Sequence, residues 1–80
     1  MNPAHLVKMA NQIGAFFEAM PDREQAVKDV AGHILRSWEP RMRSDLLRHI
    51  DAMGDSELKP VVRDALPIIS AATASTQERY

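Results

Sequence analysis

Prolines at positions 21, 40 and 60 cut this chain into stretches of nearly equal length. A proline inside a helix removes a backbone hydrogen bond and clashes with the carbonyl four residues back, whereas at a helix start it does neither. Between these marks the apolar residues recur at spacings of three and four, the signature of one helix face. There is no alternating strand pattern of useful length and no internal repeat. Each stretch therefore has room for one helix and a short connection. At 80 residues the whole is one small domain, with a core limited by its size.

The pattern predicts an all-α fold, a small bundle of three main helices plus a short fourth. The first helix runs from about Ala4 to Ala19, with Leu6, Met9, Ala10, Ile13, Phe16, Phe17 and Met20 on one face. Its other side offers Gln12, Ala15 and Ala19, with only Lys8 charged, where a surface helix normally shows a charged stripe. That back face predicts contact on two sides. Gly14 lies on the flank, where a missing side chain admits a neighbouring backbone. Asp22 caps the second helix, with Gln25 three residues on as a capping box requires, and Val27, Val30, Ala31, Ile34, Leu35 and Trp38 follow as its apolar stripe. Pro40 opens the third helix, whose stripe is Met42, Leu46, Leu47, Ile50 and Met53, and Gly54 closes it. The fourth helix carries Leu58, Val61, Val62, Ala65 and Ile69. It is expected to last about two turns and to stop or kink near Pro67. On this reading residues 1–70 form the domain and residues 71–80 a frayed tail.

Composition excludes several functions. The apolar and charged fractions, 45% and 26%, are ordinary for a globular domain. A net charge of −1 is not the basic footprint of a general nucleic-acid binder. Without cysteine, no disulfide, iron–sulfur cluster or thiolate zinc site is possible. No stretch of apolar residues is long enough to span a membrane, and "MNPAHLVKMANQIGAFF" lacks the basic start of a secretory signal. The expected compartment is the cytoplasm. His5, His33 and His49 stand apart at no ligand spacing and read as surface or rim residues. No phosphate-binding glycine loop, nucleophile motif or carboxylate pair is evident, so no catalytic, cofactor-binding or metal-binding residue is assigned.

The candidates are instead interface residues. Trp38 lies near the centre of its helix's apolar face and is expected to be largely buried. Arg41, Asp45 and Arg48 read as a surface ion-pair ladder. Arg43 falls between Leu47 and Ile50, inside the apolar arc. It must pair with Glu39, reach past the rim, or meet a carboxylate or carbonyl on a partner. Gln12, Ala15 and Ala19 on the first helix, and Trp38, Arg41, Met42 and Arg43 at the corner, form the predicted contact set.

Two stretches, "LVKMANQIGAFFEAMPDREQAV" and "HILRSWEPRMRSDLLRHI", resemble the small delta subunit of molybdenum-dependent, NAD-linked formate dehydrogenases. The resemblance covers about Leu6 to Ile50, and more weakly "LKPVVRDAL". It rests on Lys8, Met9, Asn11, Gln12, Ile13, Phe17, Pro21, Trp38, Pro40, Arg41 and Met42. The corner reads Ser37-Trp38-Glu39-Pro40, where such subunits often have Phe-Trp-Asp-Pro. The resemblance implies a non-catalytic accessory chain that aids assembly or stability of larger subunits, those subunits holding the molybdenum pterin, iron–sulfur clusters, flavin and NAD site. The chain itself then needs no cofactor. A first helix with two apolar sides also makes a homodimer an option for the isolated chain. The alternative is a stand-alone helical adaptor or a nucleic-acid-binding regulator using the arginines between Arg36 and Arg48.

Overall fold

The computed structural model describes residues 2–77, with side chains through residue 74. Among these residues the chain forms four α-helices and no strand: α1 (Pro3–Phe17), α2 (Arg23–Ser37), α3 (Pro40–Met53) and α4 (Pro60–Gln77). The all-α bundle is as the sequence predicts. Asn2 opens α1, its Oδ1 accepting from the Ala4 amide at 2.9 Å. Asp22 caps α2 by accepting from the Gln25 amide at 3.2 Å. Only that half of the expected capping box forms, because the Gln25 side chain turns forward and donates to Asp29 Oδ1 at 2.9 Å. Pro40 begins α3 without any side-chain cap from Glu39. Gly54 ends α3 at φ 86°, a backbone region that only glycine enters at little cost.

The fourth helix corrects the expectation. It is the longest, at 18 residues, and continues past Pro67 rather than stopping there. It also takes in residues 71–77 of the expected tail, while residues 78–80 lie outside the described residues. Pro67 and Arg63 are both exposed. The Arg63 carbonyl, deprived of its helical donor by the proline, therefore faces water that can replace it. On the opposite side the buried register Val62, Ala65, Ile69 and Thr73 continues unbroken, and it holds the helix together past the proline.

Helix α4 is the central element and packs most extensively against α2. The core joins Ala26, Val30, Ala31 and Ile34 of α2 to Val61, Val62, Ala65 and Ile69 of α4, with Leu6, Val7 and Ala10 of α1 and Leu46 of α3 closing it. Two features of α1 fix where α4 starts. The Asn11 side chain donates to the Glu57 carbonyl at 2.8 Å and accepts from the Lys59 amide at 2.9 Å. It thus grips the connecting loop on both sides of the buried Leu58. One turn on, Gly14 is buried against the first turn of α4. Exposed ion pairs add Arg23–Asp64 at 3.0 Å and Lys59–Glu18 at 3.3 Å. Each is worth only about 0–1 kcal/mol, so burial and the Asn11 grip dominate.

A Cβ at Gly14 would lie 2.6 Å from Val62 Cγ2 and 3.2 Å from Val61 Cγ1. Both valines are fully buried and β-branched, so they cannot swing aside. Gly14→Ala gains about 1 kcal/mol of helix propensity but incurs about 1–3 kcal/mol of overpacking. The expected outcome is a net loss of stability in denaturant unfolding; a variant as stable as wild type would refute the close approach.

Candidate protein-docking site

The apolar residues of α1 cover about half its circumference, counting about 100° per residue. That is wider than one contact can use. Leu6, Val7, Ala10 and Gly14 turn into the bundle. Met9, Ile13 and Phe16 lie on the shoulder of the same arc, and there they line an open groove of about 550 Å³. Gln12 and Phe17 complete the α1 wall, His33 and Ser37 come from α2, and Trp38 and Met42 come from the α2–α3 corner.

Phe16 was expected in the core with the rest of its face. It is instead 76% exposed, the most exposed large apolar residue among those described. Its ring meets Phe17 edge-on, with centroids 4.9 Å apart at 88°, and Phe17 in turn lies 6.2 Å from the His33 ring. Trp38 is 5% exposed, buried as expected. Its amide caps α2 by donating to the Ile34 carbonyl at 2.9 Å, and its ring belongs both to the core and to the groove. The wall carries no Lys, Arg, Asp or Glu.

Of the predicted contact set, the structure brings Gln12, Trp38 and Met42 together in this groove. Ala15 lies elsewhere, in a shallow depression with Lys8, Asn11 and Glu57. Ala19, expected as the last residue of the first helix, lies exposed in the turn beyond α1 and lines neither hollow. Arg41 is exposed and borders a small hollow with Glu39, Met42 and Asp45. The second apolar surface that α1 exposes is thus the shoulder holding Phe16, apart from the small-residue back. Met9, Ile13, Phe16 and Phe17 were missed as site residues because sequence spacing assigns them all to the core. The width of the arc was the available signal.

Arg43 is 5% exposed, and its Nε is buried without a hydrogen-bond partner among the described residues. Among the described residues it forms no ion pair with Glu39, the internal partner that the sequence suggested, and it does not line the groove. Burial of Arg43 also breaks up the run of arginines behind the nucleic-acid alternative. Arg48 lies 3.8 Å from Asp45, which leaves Arg36 and Arg41 as its exposed members without an ion pair among the described residues. His49 is half-buried, with Nε2 3.7 Å from Glu57 Oε1. Among the described residues no three His, Asp or Glu side chains converge as a metal centre requires, and no helix is long and apolar enough to cross a membrane. An uncharged, aromatic-walled groove with an exposed ring on its lip has the composition of the buried centre of a protein interface.

The family model for the NADH-dependent formate dehydrogenase delta subunit, FdsD, matches residues 5–66. That span takes in both the resemblance drawn from Leu6 to Ile50 and the weaker one over residues 58–66 at the start of α4. It contains every residue of the groove wall. No curated protein and no solved structure matches the chain.

The Arg43 Nε, buried without a hydrogen-bond partner among the described residues, is a cost to the fold, because its desolvation is not repaid. Arg43→Met keeps the packing of the side-chain stem and removes the charge. The expected outcome is an unfolding midpoint equal to or above that of wild type by thermal and urea melts. A loss above about 2 kcal/mol would show a compensating partner for Arg43.

Proposed function

This chain belongs to the NADH-dependent formate dehydrogenase delta subunit family, and from that premise we propose that it is a non-catalytic accessory subunit that aids assembly or stability of the larger subunits. The single observation that carries the reading is the groove between α1 and the Trp38 corner. It offers apolar side chains and no charge to a partner, and it lies wholly within the segment that defines the family. The occupant is an apolar segment of a larger formate dehydrogenase subunit, seated against Phe16, Trp38 and Met42.

The same reading assigns oxidation of formate and reduction of NAD+ to the partners. A chain without cysteine offers no thiolate to an iron–sulfur cluster. The molybdenum pterin, the clusters and the flavin belong to the larger subunits, and the cytoplasm is the compartment in which this chain meets them. What the small subunit contributes is binding free energy: it covers apolar surface on a partner and in exchange has its own groove covered.

The test is co-expression of the tagged chain with the other formate dehydrogenase subunits. Wild type is expected to retain the larger subunits through purification. Phe16→Asp places an unpaired carboxylate in the groove and is expected to lower recovery at least tenfold, about 1.4 kcal/mol of association. Absence of the larger subunits from the wild-type eluate overturns the stable-subunit reading. Equal recovery by the variant moves the docking face off the groove.

A further inference from the structure

The groove raises the question of what covers it while no larger subunit is bound. A small-molecule ligand does not suit it. The wall is open and mostly apolar, whereas small-molecule sites enclose most of their ligand's surface. A second copy of the chain suits it on three counts.

The first count is shape. A two-fold interface uses one patch twice, so that patch must supply both the projecting group and the hollow that receives it. Here the two are adjacent: the Phe16 ring stands 76% exposed on the lip of a hollow of about 550 Å³. A two-fold axis through the lip is the arrangement that would set each ring over the other's groove.

The second count is charge. Near a two-fold axis each residue faces its own twin, so any charge there repels itself. The groove wall has no Lys, Arg, Asp or Glu, and its polar members are Gln12, Ser37 and His33.

The third count is area, which sets the strength. An aromatic side chain buries about 150–250 Å², so two Phe16 rings and the walls they cover amount to roughly 600 Å². Interfaces below about 1,200 Å² are the weak and transient ones.

We propose that the unassembled chain pairs reversibly with a second copy of itself, Phe16 of each copy seated in the other's groove against Trp38 and Met42. Self-pairing uses the docking face of the proposed function but requires no other subunit. It keeps an adhesive apolar surface covered, and it is weak enough to yield when a larger, better-packed partner arrives. Pairing and docking are then mutually exclusive at one face.

The chain supplies its own reporter, because its only tryptophan lines the groove. The isolated full-length chain is followed by sedimentation equilibrium and by Trp38 emission across the micromolar range. The expected result is a monomer–dimer transition with a concentration-dependent shift in Trp38 emission over the same range. Phe16→Ser, with its fold verified by circular dichroism, is expected to weaken pairing at least tenfold and to abolish the shift. A wild type that stays monomeric throughout, a dimer that leaves Trp38 emission unchanged, or a Phe16→Ser chain that pairs as well as wild type would each overturn the proposal. None of these results bears on co-purification with the larger subunits, so the two readings fail separately.

Discussion

One side-chain amide decides where the longest helix begins. Asn11 binds the loop ahead of α4 through a donor and an acceptor at once, copying the pairing that one backbone strand offers another. A loop polar group left unpaired in a partly buried setting costs about 1–3 kcal/mol, so the grip fixes position as well as contributing stability. Gly14, three residues on, lets the first turn of α4 come within the space a methyl group would fill. Because α4 carries the main contact with α2 and also meets α1 and α3, its starting point sets the register of the entire core.

The groove is the geometric remainder of that arrangement. Helix α1 commits one side of its apolar arc to the bundle, through Leu6, Val7, Ala10 and Gly14. With no fifth helix among the described residues, nothing covers the other side. Met9, Ile13 and Phe16 are thus left facing the end of α2 and the start of α3. A domain this small cannot bury all of its large apolar side chains. Part of the excess, Phe16 with Met9 and Ile13, is gathered on one face beside an indole already anchored in the core, while Met53 and Ile68 stand exposed outside it.

The parts legible in the sequence were those governed by local chemistry. Pro40, Asp22 and Gly54 mark helix ends because their effects act within a turn or two, and the spacing of three and four identifies Val30, Ile34 and Leu46 as core. The length of α4 was not legible. Whether a proline ends a helix depends on which side it faces, and Pro67 faces solvent while Ile69 and Thr73 continue the buried row. The site was legible only in part for a related reason. Periodicity finds the apolar side of α1 but not the dividing line within it, which is set by where α4 docks. Asn11 appeared in the family pattern, yet its two bonds reach residues 46 and 48 positions away, which no local rule anticipates. Arg43 was singled out for standing inside an apolar arc, and it does lie there. That the bundle would enclose it without a partner is a tertiary outcome.

Trp38 closes the end of α2, sits in the core and forms part of the groove. Folding and the groove therefore share a residue, so on the proposed docking reading their free energies are linked. Anything that occupies the groove only when the chain is folded raises the free energy of unfolding, by about 2.7 kcal/mol at a hundredfold excess over its dissociation constant. Against the roughly 5–15 kcal/mol that holds a typical domain together, this is a sizeable share. A copy without an occupant opens more often, and quality-control proteases act on opened chains. On the proposed docking reading, the lifetime of the small chain would follow the supply of its partner.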